Sequence, residues 1–321
     1  MIRRFLALFE PFILALLGTV VLASLLPARG AYAGIAQGAA TMGIVALFFL
    51  HGARLSRQAI WDGMRNWRLH AAVLAVTFAL FPLFGLGLAH LFTGPVAAGL
   101  LFLTLLPSTV QSSIAFTAIA RGNVAAAVCS ASFSNLLGIA LTPALVALLM
   151  GRAGAGVSLA SVEAIVVQLL VPFVAGHLLR PWIGGWVARR KAMLTLVDRG
   201  SILLVVYAAF GAAVVEGLWR QVSARDLALV CAACVALLAV VLAATWAIGR
   251  GLRLSREDAI VLVFCGSKKS LASGVPMAGV LFPAAQVGMV LLPVMLFHQL
   301  QLIACALIAR RYEAQNAISP R

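Results

Sequence analysis

Residues 69 to 120 contain no Asp, Glu, Lys or Arg over 52 consecutive positions. A helix needs about 20 apolar residues to cross a hydrocarbon core of roughly 30 Å, so this stretch is long enough for two crossings. The turn residues Thr93-Gly94-Pro95 divide it. In the whole chain 10% of the residues are charged, against about 25% in soluble domains. The sequence therefore predicts an all-α integral membrane protein.

The same length criterion predicts ten transmembrane helices. A second long run, residues 259–309, carries Lys268 and Lys269 as its charges, and Phe282-Pro283 divides it into two spans. The sixth span has one acid, Glu163, near its start. The predicted spans cover residues 11–27, 32–53, 69–92, 95–120, 123–150, 157–179, 198–218, 226–249, 259–282 and 285–309.

The basic residues predict the orientation of these spans. Of 24 Lys and Arg, 18 fall on the side that holds both termini, two are the intramembrane lysines, and four fall on the other side: Arg29, Arg152, Arg220 and Arg225. Because short basic loops stay in the cytoplasm, both termini are expected there, in a protein of the plasma (inner) membrane. Topology and anionic lipid headgroups account for the net charge of +15, so no nucleic-acid partner is expected.

Weak internal echoes predict two five-helix repeats, residues 1–153 and 154–321. Pro11-Phe12 recurs as Pro172-Phe173, and the polar segment from Pro107 recurs from Ser267. Gly52 with Arg54 also recurs as Gly217 with Trp219-Arg220. An odd number of helices per repeat requires the second repeat to insert inverted, as in many transporters. Arg3-Arg4, an apolar run and Ala31-Tyr32-Ala33 mimic a signal peptide, but its removal would leave nine spans and break this symmetry.

Two polar interruptions mark the fourth and ninth predicted spans. The fourth contains Pro107 followed by four hydroxyl residues and Gln111, and the ninth contains Ser267-Lys268-Lys269-Ser270. At 1.5 Å per residue both lie roughly 15–20 Å deep, near the bilayer midplane, where we expect the two broken helices to cross. Unwound backbone is tolerated at that depth where it is buried in protein or lines a cavity. A proline kink satisfied by hydroxyl groups explains the fourth span equally well.

The adjacent lysines are the sharper signal. One charge at the centre of a span costs about 2.5–3.5 kcal/mol on insertion scales, and no acid lies between Asp258 and Glu313. Their partner must be a carbonyl group, a helix dipole, a remote acid or an anionic substrate. We therefore predict a substrate site built from Ser108, Thr109, Gln111, Ser112, Ser113, Asn135, Ser267, Lys268, Lys269 and Ser270.

Other polar residues in the spans are more ambiguous. Asn135 and the serines near it either face the break in the fourth span or pack between helices, and His298, Gln299 and Gln301 suit helix packing. Cys231 and Cys234 lack nearby His or acid residues, which favours core packing over metal binding. No nucleophile–base set, phosphate loop or metal-ligand cluster is visible, so the sequence does not predict an enzyme.

The motif Ala120-Arg121-Gly122-Asn123, followed by Leu141-Thr142-Pro143-Ala144, resembles the helix 4–5 region of the bile acid:sodium symporter family. The string from Phe264 to Ala272 is similar to the SBF-like branch, which includes bacterial symporters and the seventh member of the vertebrate solute carrier family 10. The resemblance implies a core of helices 3–5 and 8–10, a panel of helices 1, 2, 6 and 7, substrate between them, and alternating access.

The sequence departs from the family pattern where bile-acid carriers hold sodium. The ninth span has Lys268-Lys269 and no acid, Ile114 follows Ser113 where Asn is expected, and Ala127 and Ala131 replace hydroxyl residues. Two lysines would repel sodium, but an ammonium group can act as a tethered cation. A sodium ion is therefore an open question, and no other cofactor is expected.

These observations predict a single membrane unit that acts as a secondary transporter. The expected partners are a small organic anion and membrane lipid, and the chain is a monomer or a homodimer. Two alternatives stay open: a proton-coupled carrier or antiporter that uses a titrating lysine, and a membrane regulatory protein that transports nothing.

Overall fold

The computed structural model describes residues 11–54, 66–150, 166–217, 219 and 223–318. Over these residues the chain is helical and contains no β-strand, as its apolar runs predict. The α-helices are α1 (Pro11–Leu25), α2 (Ala31–Arg54), α3 (Trp67–Ala75), α4 (Phe81–Ala89), α5 (Gly94–Leu105), α6 (Gln111–Ile119), α7 (Val124–Leu145), α8 (Val171–Arg189), α9 (Lys191–Val215), α10 (Ala224–Gly251), α11 (Arg256–Gly266), α12 (Leu271–Leu281) and α13 (Ala284–Ile318). Short π-helical segments join α3 to α4, follow α7 and precede α8: Val76–Leu80, Val146–Met150 and Val166–Leu170.

Six helical stretches in the described residues are long and apolar enough to cross a membrane: Ala31–Arg54, Trp67–Leu88, Val124–Met150, Ala192–Val215, Ala224–Gly251 and Ala284–Gln315. Leu14–Leu25 and Val96–Leu105 are shorter apolar helices. This is the architecture of an integral membrane protein. The arrangement of ten spans in two inverted repeats stays a prediction.

Several helices continue beyond the charged residues that end an apolar run. The tenth predicted span, 285–309, lies within α13, which continues past Arg310 and Arg311. Arginine is a good helix former, so a helix that leaves the apolar layer need not end there. The start of the sixth predicted span lies outside the described residues, as do Arg3, Arg4, Arg152, Glu163 and Arg220.

The two polar interruptions break their helices where the sequence predicts. α5 ends at Leu105 and α6 begins at Gln111, and α11 ends at Gly266 before α12 begins at Leu271. Pro107 supplies no N–H to continue α5. Both breaks leave backbone carbonyl groups without helical donors, and these groups determine the contacts of the site.

The contacts within the chain define two compact units, each of which combines segments from both predicted repeats. The first unit comprises Met1–Leu55, Gly151–Leu227 and Gly274–Leu292. The second unit comprises Ser56–Met150, Ala228–Ser273 and Pro293–Arg321, and it contains both helix breaks.

In the first unit, α2 packs closely against α8 through glycine. A Cβ atom at Gly52 would lie 1.9 Å from the carbonyl oxygen of Phe173, and one at Gly176 would lie 2.0 Å from the carbonyl oxygen of Phe49. Small residues allow membrane helices to approach in this way. Near this contact, Arg54 forms an ion pair with Asp198.

Candidate functional site

The two helix breaks contact each other inside the second unit. The backbone N–H of Ser270 donates to the carbonyl oxygen of Pro107 at 2.8 Å. In the other direction, the Ser108 hydroxyl donates to the carbonyl oxygen of Cys265, and the Ser113 hydroxyl donates to that of Phe264 at 2.9 Å. Two segments about 160 residues apart in the sequence therefore form one polar cluster.

Hydroxyl groups satisfy much of the first break. The Ser108 N–H donates to the Ser134 hydroxyl at 2.9 Å, so it is not available to the carbonyl group of Thr104 one turn earlier. Thr109 shares hydrogen bonds of 2.9 Å with the hydroxyls of Ser112 and Ser113. The serine and threonine residues of this segment are thus held in place by one another as well as by backbone groups.

Asn135 on α7 links the two breaks. Its amide nitrogen donates to the carbonyl oxygens of Ser108 at 2.7 Å and Ala131 at 3.0 Å, and its amide oxygen accepts from the Ser273 hydroxyl at 2.8 Å. The Ser270 hydroxyl donates to Ser273 and accepts from its backbone N–H, which caps α12. The structure therefore places Asn135 against the first break, one of the two positions that its sequence left open.

Two of the predicted site residues, Ser267 and Gln111, differ in burial. Ser267 is buried, and its hydroxyl donates to the carbonyl oxygen of Val263 at 2.6 Å. Gln111 is exposed at the first position of α6, where no side chain caps the helix. The uncapped N–H groups of α6 and the Gln111 amide are polar groups that a solute could contact.

Lys269 is buried and its ammonium group is fully satisfied by backbone oxygens. Its Nζ donates to the carbonyl oxygens of Thr77, Thr104 and Leu106 at 2.7, 2.8 and 2.7 Å. The ring of Phe81 lies beneath it, with its centroid 4.1 Å from Nζ. This arrangement pairs three N–H donors with three acceptors and uses no carboxylate.

A proline in one helix and the end of another explain why these carbonyl groups are free. In the π-helical segment the Phe81 N–H donates to Val76, so the donor in register for the Thr77 carbonyl would be Pro82, which has no N–H. At the other side, the Ser108 N–H that would pair with the Thr104 carbonyl donates to Ser134, and Leu106 lies beyond the last residue of α5. The Lys269 ammonium takes the place of these missing donors.

Gln301 on α13 fixes the backbone of Lys269. Its amide oxygen accepts from the Lys269 N–H at 2.8 Å, and its amide nitrogen donates to the Lys269 carbonyl oxygen at 2.9 Å. The His298 ring lies 2.9 Å from the same amide nitrogen. From its sequence position Gln301 is expected to pack between helices, and this role is not predicted, although an amide side chain in an apolar span is a visible signal.

Lys268 has the opposite environment. Its side chain is fully buried, and its Nζ has no hydrogen-bond partner within the part of the chain that the structure describes. It lies over the faces of Phe116 and Phe264, with centroids 4.1 and 5.4 Å away. Cation–π contacts offset part of the cost of burial, about 0.5–2 kcal/mol each. Neither lysine forms an ion pair with a described carboxylate.

Comparison with known families shows a match over nearly the whole chain. Residues 10–314 match the model of the SBF-like CPA transporter family. The resemblance inferred from the motifs around Arg121 and Lys268 is confirmed by this match.

Individual relatives cover almost the same length. "Uncharacterized protein PA2026" from Pseudomonas aeruginosa is 56% identical over 308 residues, which are 94% of this chain and 92% of the relative. "Putative symporter YfeH" from Escherichia coli K12 is 51% identical over 96% of this chain and 94% of its own length. "Sodium/bile acid cotransporter 7" from Rattus norvegicus is 24% identical over 92% of this chain and 89% of its own.

Proposed function

The chain belongs to the SBF-like CPA transporter family, and on that premise we propose that it is a secondary active transporter for a small organic anion. The observation that carries the proposal is the lysine pair at the contact between two broken helices, which no carboxylate among the described residues neutralises. The positive charge of lysines in a non-helical segment, together with the N-termini of the broken helices, favours the binding of an anion.

The proposed topology has ten spans in two inverted repeats. The protein lies in the plasma (inner) membrane, and both termini are in the cytoplasm. The broken pairs α5–α6 and α11–α12 each supply one span, since their single segments are too short to cross alone. The 18-to-4 distribution of basic residues supports the orientation.

Alternating access needs parts of the chain that move as bodies. The second unit contains α3–α7, α10 and α11, which correspond to most of the predicted core. The first unit contains α1, α2, α8 and α9, the predicted panel, together with most of α12 and the start of α13. The separate packing of these groups supports a mechanism in which exposure of the site changes without unfolding either unit.

Within this mechanism the lysines of the ninth span take the place of the sodium ion used by bile-acid carriers. A tethered ammonium supplies the positive charge that a bound cation would otherwise bring to the crossing. We therefore propose that anion transport does not require sodium. Proton coupling is the second candidate, because the unpaired ammonium of Lys268 is a group that could exchange a proton.

The direct test is uptake into proteoliposomes that contain the purified chain. We would offer labelled taurocholate first, because some relatives are named bile acid cotransporters, and then a panel of small carboxylates and sulfonates. We expect saturable uptake that is equal in sodium and choline, and loss of uptake in Lys268→Ala. Wild-type flux in this variant would contradict the role of the lysine. Absence of flux for every anion, from folded protein, would favour a regulatory function.

The pH dependence of the same uptake separates the two coupling mechanisms. A proton-coupled carrier responds to an imposed pH gradient at constant membrane potential. A rate that stays flat from mildly acidic to alkaline pH would argue against proton coupling.

A further inference from the structure

We infer that the carbonyl oxygens of Thr77, Thr104 and Leu106 form a binding site for a small monovalent cation, and that the Lys269 ammonium is its resident occupant. All three oxygens lie 2.7–2.8 Å from one atom, Lys269 Nζ. We call these three oxygens the carbonyl cage. The inference concerns the site of the proposed function and assigns the replacement of sodium to one of the two lysines.

The chemistry of the cage is that of a cation site. Converging backbone carbonyls are the ligands that replace the hydration shell of alkali ions in proteins. The face of Phe81 adds a further surface that attracts positive charge. Because no carboxylate among the described residues contributes, the cage matches a single positive charge better than a divalent ion.

The cage belongs to the backbone and does not depend on the lysine side chain. Pro82 deprives Thr77 of a donor, and the Ser108 N–H that would pair with Thr104 is taken by Ser134. Leu106 lies beyond the end of α5. Removal of the Lys269 side chain would therefore leave three oxygens without donors and a space of about four heavy atoms.

Lys268 provides the matched comparison, because it is adjacent, equally buried and outside the cage. Its Nζ contacts aromatic faces and no described acceptor. Its removal leaves no converging oxygens, so a cation added from solution should have nothing to bind there. The inference therefore predicts that the two lysine positions respond differently to added cations.

The experiment measures the apparent melting temperature of detergent-purified Lys269→Ala, Lys268→Ala and wild type at matched ionic strength. The salts are the chlorides of choline, sodium, ammonium and n-propylammonium. The last supplies the three carbons and the nitrogen that the substitution removes. n-Propanol, similar in shape but uncharged, tests whether the positive charge is needed.

We expect n-propylammonium, and to a smaller extent ammonium or sodium, to raise the melting temperature of Lys269→Ala by about 3 °C or more above choline. Propanol should have no comparable effect, and wild type and Lys268→Ala should not distinguish the cations. If Lys269→Ala is unfolded in choline, recovery of monodisperse protein becomes the readout, and recovery that depends on the cation supports the inference.

Three results would overturn it: no cation-specific rise or recovery in Lys269→Ala, an equal rise in Lys268→Ala, or a sodium-specific rise in wild type. The measurement requires no transport. If no cation binds to Lys269→Ala but anion uptake is intact, the proposed function is retained and the cation site is rejected. If cations bind but no anion is taken up, the cation site is retained and the proposed function is rejected.

Discussion

Lys268 and Lys269 are neighbours in the sequence and are equally buried, yet their ammonium groups meet opposite surroundings. Lys269 pairs each of its donors with a carbonyl oxygen, whereas Lys268 has aromatic faces and no described acceptor. The four residues from Ser267 to Ser270 are not helical, which allows the two side chains to leave the backbone in unrelated directions. Lys269 therefore stabilises the fold through its hydrogen bonds, whereas burial of the Lys268 ammonium destabilises it.

We expect the substitutions Lys268→Met and Lys269→Met to change stability in opposite directions. Methionine is an unbranched apolar side chain of similar length. Lys268→Met removes unpaired polar hydrogens and should raise the apparent melting temperature. Lys269→Met leaves three buried carbonyl oxygens unpaired, at about 1–3 kcal/mol for each, and should lower it.

The measurement is thermal unfolding of both variants in one detergent and one buffer. A loss of similar size in both variants would contradict the difference in pairing, because it would mean that Lys268 also has an acceptor in the folded protein. Loss of transport in Lys268→Met, despite its greater stability, would identify the unpaired lysine as a functional residue.

At the scale of helices, the packing of α2 on α8 depends on two glycine residues. A methyl group at Gly52 or Gly176 would overlap a backbone carbonyl of the facing helix, and backbone cannot move aside as a side chain can. We expect Gly52→Ala and Gly176→Ala each to destabilise the protein by about 1–3 kcal/mol, measured as a fall in melting temperature.

Gly38 on the same helix is the control. A Cβ at Gly38 would have no atom within 4 Å, and alanine has the higher helix propensity. Gly38→Ala should therefore be neutral or slightly stabilising. If all three substitutions cost the same, the close approach of α2 to α8 would not be the cause.

The broken helices show how far an element can be predicted from its residues. Pro107 and the polar residues after it locate the first break, and the Ser-Lys-Lys-Ser segment locates the second. The π-helical segment at Val76–Leu80 is not predicted by the sequence, because Thr77 is its only polar residue and threonine is ordinary in a membrane helix. Pro82 was its one visible sign, and the consequence of that proline, a free carbonyl at Thr77, became apparent with the Lys269 contact.

For the whole molecule, the distribution of basic residues predicts that the chain ends in the cytoplasm. We expect green fluorescent protein fused after Arg321 to fluoresce and alkaline phosphatase fused at the same position to be inactive in a bacterial host. Phosphatase fused after Gly30, in the first loop of the opposite side, should be active. The reverse pattern would contradict the orientation, and the same result for phosphatase at both positions would contradict the ten-span count, because nine predicted spans separate the two fusion points.

The sequence by itself determined the class of the molecule and the places where its helices break. Long uncharged runs can be satisfied by helices in a membrane, and a proline or a pair of lysines inside such a run interrupts it for local reasons. The family followed from motifs in the same segments and was confirmed over residues 10–314.

The tertiary structure alone decided which groups meet at the breaks. It brought Asn135 between Ser108 and Ser273, assigned Gln301 to the backbone of Lys269, and separated the roles of the two lysines. The physical reason is that the partners of Lys269 are backbone carbonyls, which every residue possesses and no sequence pattern distinguishes. Which carbonyls are free, and which side chain reaches them, depends on how helices from distant parts of the chain pack.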